Sequence, residues 1–224
     1  MSITTELRPD VVGRYVEGGV TKFLPASRPE LDRAADSLAA VIGSFRFRPG
    51  QFVLVISMLE EAVQVAPIEQ ACIDLGLVPT NADCSNFDAG RVEATLRRFD
   101  VPAVAGVSTA VLDGLKMFGF DAAKLFEGRV VWARPDAYEA VAAMPGVTAR
   151  RWLEVGPALA LECAAGEGAH LDGREWAADD TTGELRLSNR LLRITPFVDA
   201  PTGVKARLIT AACSCGCPDP RIAV

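Results

Sequence analysis

The chain has 224 residues, of which 50% are hydrophobic and 23% charged, with a formal net charge of -6 at pH 7, a pI near 4.9 and a mean hydropathy of +0.21. That length buries one good core, so a compact unit with a smaller lobe is expected. The acidic balance and the absence of a basic stripe argue against a nucleic-acid partner or an anionic membrane surface. No run approaches 18 apolar residues, so no spanning segment is expected.

Residues 29–44, PELDRAADSLAAVIGS, predict a helix: Pro29 and Glu30 suit its first turn, and Leu31, Ala35, Leu38 and Ile42 recur at helical spacing. FVLVISM (52–58) is a continuous apolar run of the kind buried in parallel sheets. A helix over 65–75 follows, closed by Gly76, then LVPT as a short strand. Residues 88–99 predict an amphipathic helix with Asp88 as N-cap. VPAVAGV (101–107) is the next buried strand, with Ser108 or Thr109 capping a helix to about Phe118. RVVWA (129–133), a short helix from PDAYEAVAAM and TARRWLE (148–154) complete the alternation. Strand–helix alternation from 50 to 154 predicts a doubly wound, mainly parallel α/β sheet. From 155 to 212, ALALEC, REWAAD, GELRLS, LLRITPF and VKARLIT are short and strand-like with turns between them. They predict a small antiparallel β lobe over 155–224, beside an α/β subdomain over 1–154.

Chemistry concentrates in that lobe. The only histidine, His170, lies seven residues after Cys163, and Cys213, Cys215 and Cys217 follow within five residues of one another. A lone imidazole among clustered thiols suits Zn2+, which takes four S or N ligands tetrahedrally. Four protein ligands leave no open position, so the metal is expected to be structural, held by Cys163, His170 and two of the three clustered cysteines. Six cysteines and an N-terminus without a charged start or apolar core are expected of a reducing cytoplasm. Cys72 and Cys84 are expected to be ordinary core or loop residues. The paired acids Glu60–Glu61 and Asp179–Asp180 are expected to be solvated. Trp132 and Trp176 are expected in the core, while Trp152 is a candidate pocket wall. Ligands of open α/β sheets collect at the carboxyl ends of the strands. That adds Ser57, Gly106 and Ser108 as candidate binding residues.

In order along the chain come Gly156-Pro157-Ala158-Leu159-Ala160-Leu161-Glu162-Cys163, His170-Leu171, Gly183-Glu184-Leu185, Cys213-Ser214-Cys215-Gly216 and Pro220-Arg221-Ile222. This succession resembles the phenylacetate-CoA ligase and coenzyme F390 synthetase-like branch of the adenylate-forming (acyl-CoA synthetase) superfamily. The resemblance runs in motif order over roughly residues 15–222 and is specific around 156–170 and 213–222. It implies a zinc site on Cys163, His170, Cys213 and Cys215, with Cys217 as an alternative ligand. In this family ATP activates a carboxylic acid, and the acyl group then passes to CoA.

The nucleotide motifs are degenerate. The family's phosphate loop falls on Gly18, Gly19, Thr21 and Lys22, which are short of hydroxyls and follow Glu17. The family's Thr-Glu pair falls on Leu153 and Glu154, and leucine cannot donate to a phosphate. Val204 stands where the family's ribose-binding aspartate belongs, with Asp199 nearby at the wrong spacing. The resemblance also implies that the family's lysine-bearing C-terminal domain and about a hundred N-terminal residues are lacking. Bound ATP and Mg2+ are therefore not expected. The expected function is that of a zinc-containing, non-catalytic relative binding a small aryl or acyl carboxylic acid or acyl derivative through Ser57, Gly106, Ser108, Trp152 and Glu154. The alternatives are an ATP-dependent carboxylate-activating enzyme completed by a partner chain, and a structural subunit of a larger assembly. A homodimer or partner subunit is expected, since strands apolar on both faces need cover on both.

Overall fold

A computed structural model describes residues 8–224; Met1–Glu6, on which the reading of a leaderless N-terminus falls, lies outside them. The chain opens with a hairpin of β1 (Val11–Glu17) and β2 (Val20–Ala26), followed by α1 (Arg28–Gly43). Next come β3 (Phe52–Ser57), α2 (Ala62–Asp74), β4 (Val78–Asp83), α3 (Ala89–Arg98), β5 (Ala103–Val107), α4 (Thr109–Met117), α5 (Ala122–Phe126), β6 (Val130–Ala133) and α6 (Tyr138–Ala142). The remainder is β-rich: β7 (Thr148–Val155), β8 (Ala158–Glu162), β9 (Ala169–His170), β10 (Trp176–Asp179), β11 (Arg186–Asn189), β12 (Ala200–Pro201), β13 (Arg207–Ile209) and β14 (Arg221–Ala223). Among the described residues no helix is long and apolar enough to cross a membrane.

Nine strands form one sheet in the order β13-β14-β9-β8-β7-β6-β5-β3-β4. From β4 to β7 the pairs are parallel, and from β7 to β13 they are antiparallel. The expected antiparallel lobe is thus partly an extension of the main sheet. β7 pairs with β6 on one side and β8 on the other, because the Gly156-Pro157 turn returns the chain alongside β7. Within 155–224, β10-β11-β12 form a separate small sheet. LLRITPF is not a strand: Asn189 N–H bonds to the Phe197 carbonyl at 3.0 Å, closing 189–197 into a loop, and Arg193 turns inward to Glu175 at 2.7 Å. The hairpin β1–β2 was not expected. Its two-residue turn is Gly18-Gly19, both at positive φ (57° and 79°), the geometry of the tight turns that twist with their strands.

Local chemistry sets the boundaries. Ser27 precedes α1, and Glu30 Oε2 accepts from the Ser27 backbone N–H at 2.8 Å and from its hydroxyl at 2.6 Å. Gly76 follows α2 at φ 72°, with Leu77 N–H reaching back to the Cys72 carbonyl at 2.8 Å. Asp88 occupies the N-cap of α3 but turns its carboxylate to the Asp83 N–H at 2.8 Å. Ser108 caps α4, accepting from Val111 N–H.

Alternation along the parallel strands divides their side chains between two cores. Val53, Val55, Ala103 and Ala105 pack with Leu38, Ile42, Val65 and Ile68 of α1 and α2. Leu54, Ile56, Val104 and Val131 pack with Val92, Leu96, Val111 and Leu115 of α3 and α4. Among the described residues, the chain's own helices thus pack on both faces of the parallel strands. A third core joins the hairpin to β7–β9 and β10–β12.

Helix α4 crosses the Asn86 region so closely that Gly114 has no room for a methyl group. A Cβ there would sit 2.4 Å from the Asn86 carbonyl oxygen and 2.7 Å from its Cα. Backbone cannot rotate away, so Gly114→Ala is expected to lose about 1–3 kcal/mol of stability by overpacking, outweighing its gain of about 1 kcal/mol in helix propensity. Urea unfolding reads the difference; a variant as stable as the parent would show that α4 can slide.

Candidate metal centre and strand-end crevice

Cys163 follows β8, His170 ends β9, and Cys213 and Cys215 lie in the loop between β13 and β14. Since β8, β9 and β14 are neighbours in the sheet, residues far apart in sequence meet at one edge region. The ligand atoms of Cys163, His170, Cys213 and Cys215 all lie within 4.8 Å of one another. Cys163 and Cys213 Sγ are 3.6 Å apart, and Cys215 Sγ is 3.4 Å from His170 Nε2. A tetrahedral zinc site has edges of about 3.8 Å between sulfurs and about 3.6 Å between sulfur and nitrogen, given bonds near 2.3 and 2.0–2.1 Å. Two of the six edges are close to these lengths, and the four side chains together could hold such an ion.

The surroundings fix the ligands. His170 Nδ1 lies 3.1 Å from the Asp219 carbonyl. A carbonyl only accepts, so Nδ1 carries the proton and Nε2 presents its lone pair to the cluster. Burial pushes the His170 pKa below its usual value, which keeps the imidazole neutral as ligation requires. Gly216, at φ 88°, turns the loop so that its N–H meets the Cys213 carbonyl at 3.1 Å. Cys217 is not part of the quartet: its thiol faces Asp219 Oδ2 at 3.7 Å. Arg221, 3% exposed, holds the loop by donating to Glu167 Oε2 at 2.7 Å and to the Ala211 carbonyl at 2.9 Å.

The residues expected to bind a ligand behave differently. Gly106 and Glu154 come together at the carboxyl ends of the strands, but through Arg134, which bridges them. Its Nε donates to the Gly106 carbonyl at 3.1 Å and its Nη1 to Glu154 at 2.7 Å. A bidentate pair joins the same guanidinium to Glu61, at 2.8 and 2.7 Å. Arg14 adds a contact to Glu61 at 3.2 Å. Glu61 is 3% exposed, correcting its assignment to a solvated face. Gly106 is required here, at φ 89° with a notional Cβ 2.2 Å from the Ile56 carbonyl oxygen. Ser108 is engaged by the Cys84 thiol at 3.1 Å, and Ser57 gives its carbonyl to Cys84 N–H at 3.1 Å. Trp152 is packed, fully buried with Arg134 over its ring at 5.1 Å. Neither Arg134 nor Glu61 was singled out from the sequence. Arg134 directly follows the predicted strand 129–133 and Glu61 stands three residues after the predicted run 52–58, and that position was the available signal.

The nucleotide-loop residues are likewise placed. Gly18 and Gly19 form the hairpin turn, Thr21 and Lys22 lie on β2, and Lys22 pairs with Glu17. Leu153 is 3% exposed, in the core beneath the hairpin. Val204 gives its carbonyl to Leu185 N–H at 2.8 Å, and Asp199 pairs with Arg186 at 2.7 Å.

Solved structures place this architecture. The open conformation of 2-hydroxyisobutyryl-CoA ligase, in complex with 2-HIB-AMP and CoA, is similar at a TM-score of 0.71 and 12% identity, over 99% of this chain and 57% of that one. Its thioesterification-state complex is similar at 0.70 and 13%, over 96% and 51%. The fold is the one seen in these CoA ligase structures. At such identity the likeness is one of fold, and the chain spans about half the length of the ligases it matches. No protein-family model and no curated protein sequence matches the chain.

Proposed function

We propose that the chain is a metal-stapled protein of the acyl-CoA ligase fold, within the phenylacetate-CoA ligase branch, that forms no acyl-adenylate itself and acts as a binding or assembly component. The observation carrying this reading is Arg134, whose donors go to Glu61, Glu154 and the Gly106 carbonyl. Adenylation depends on preorganised donors aimed at the phosphates as charge develops. Here the strand-end groups are tied into an ion-pair network, and the corresponding loop is the two-residue turn Gly18-Gly19, beyond which Lys22 on β2 serves Glu17. A carboxylic-acid ligand draws no support from the crevice, because a second acid would have to displace Glu61 or Glu154 from Arg134. The ordered succession of Cys163, His170, Cys213 and Cys215 supports the branch and a zinc-type donor set. Bound zinc would cross-link β8, β9 and the β13–β14 loop, while the four protein ligands leave no position for substrate.

Carboxylate-dependent ATP–pyrophosphate exchange tests the reading. With benzoate, phenylacetate and 2-hydroxyisobutyrate, the expected rate equals the protein-free background. Exchange above background that requires both the chain and an acid would replace this reading with that of a carboxylate-activating enzyme.

A further inference from the structure

A cavity separate from both the crevice and the cysteine cluster lies between α1, α2 and the turn into β8. It offers about 50 Å3 to the centres of water-sized molecules, several times the roughly 10–15 Å3 that one water needs. Its polar wall is unusual. Glu30 Oε1, Gln64 Oε1, Asp172 Oδ2 and Arg193 Nε are all buried without a hydrogen-bond partner, and all four residues line this cavity. Native proteins leave few such atoms unpaired, so four around one cavity call for an occupant.

The remaining atoms of these groups are committed. Gln64 Nε2 donates to the Arg14 carbonyl at 2.8 Å, which fixes the amide and leaves Oε1 as an acceptor. Asp172 Oδ1 accepts the backbone N–H groups of Arg174 and Glu175, at 2.9 and 3.2 Å. Glu30 Oε2 is held by Ser27, and Oε1 has only an ion-pair contact with Arg193 at 3.2 Å. Three acceptors and one donor are therefore free. The lining carries three carboxylates, Glu30, Asp172 and Glu175, against the single guanidinium of Arg193. Arg33 pairs with Glu175 at 2.6 Å and the mostly exposed Arg174 with Asp172 Oδ1 at 3.6 Å, so the formal charges balance while Asp172 Oδ2 stays without a partner.

We propose that this cavity binds a small primary amine in its ammonium form. An ammonium group has three N–H donors and no acceptor, which matches the three oxygens that lack a hydrogen-bond partner, two of them carboxylate. Such an amine is protonated at neutral pH. A hydroxyl or carbonyl oxygen on the same molecule completes the match by accepting from Arg193 Nε. A carboxylic acid is the wrong ligand here, since it would bring a fourth negative group to the wall.

Titration calorimetry at pH 7 with 2-aminoethanol tests the assignment, with tetramethylammonium and acetate as controls. Saturable one-to-one binding of 2-aminoethanol is expected, with a Kd of about 1 mM or tighter for so few atoms. Tetramethylammonium, with the same charge and no donor, and acetate are expected not to bind. Gln64→Leu and Asp172→Asn, each checked for folding by circular dichroism and melting, are expected to weaken binding at least tenfold. A cavity holding only tightly bound water would give no saturable heat with 2-aminoethanol, and that result overturns the proposal. So does equal binding of tetramethylammonium, or unchanged affinity in both folded variants.

Discussion

His170→Ala is expected to cost more than about 4 kcal/mol of stability and to drop the metal content from one zinc per chain to a small fraction of that. The four donors come from three separate segments, so an ion held by them cross-links β8, β9 and the β13–β14 loop. Because no such site exists in the unfolded chain, its binding free energy is folding free energy. Removing the imidazole leaves three sulfurs and an unanswered Asp219 carbonyl, which received Nδ1–H at 3.1 Å. Chelation of the parent protein is expected to reproduce most of the loss, which separates the ion's contribution from the cavity left by the ring. Elemental analysis together with urea unfolding checks both. A parent protein purified without chelator and free of metal, or a variant as stable as the parent, would remove the staple from the account.

Acidification is expected to act in the same direction. His170 titrates below its usual range because it is buried, whereas the unfolded chain takes up that proton near pH 6.5. Stability from this group is therefore fully present above about pH 6.5 and is lost as the pH falls. Burial pushes the Cys163 thiol up to about 12, so an arriving ion must displace a firmly held proton. Falling pH thus weakens both the metal-free fold and metal binding.

The parallel half of the sheet was legible because its strands are continuous apolar runs separated by capped helices, a pattern that local chemistry writes almost residue by residue. The cysteine–histidine quartet was legible for a different reason: few other arrangements use three thiols in five residues beside a lone imidazole. What was not legible depended on long-range pairing. The hairpin at Val11–Ala26 mixes exposed Val12 and Phe23 with buried Tyr15 and Leu24, so its alternation is blurred, and Gly18-Gly19 suggested a phosphate loop as readily as a turn. β9 and β12 have two residues each and carry no periodicity of their own. Glu61 was hidden by its neighbour. Glu60–Glu61 has the look of a solvated pair, yet the 3-10 turn at Leu59–Glu61 directs the second acid inward, where Arg134 and Arg14 meet it. Sequence pattern gives the period of an element, not the partner of a charge.

Arg134→Met is expected to destabilise the chain by about 3–5 kcal/mol, the usual cost of leaving one member of a buried ion pair without its partner. Glu61 has no route to water at 3% exposure, and Arg14 alone, at 3.2 Å and itself half-buried, replaces only part of a bidentate pair. Glu154 is less affected because its side chain is one-third exposed and can turn to solvent. Converting Glu61 to glutamine in the same background removes the stranded charge while keeping an acceptor for Met58 N–H, which Glu61 meets at 2.9 Å. Arg134→Met with Glu61→Gln is accordingly expected to recover at least half of the loss, a non-additivity that contact between the two side chains demands. Arg134→Met is nevertheless expected to gain no ATP binding, since removing the guanidinium does not lengthen the Gly18-Gly19 turn or give Leu153 a hydroxyl. A folded Arg134→Met variant that loses less than about 1 kcal/mol, or that binds ATP, would show that the network is not what ties these strand-end groups together.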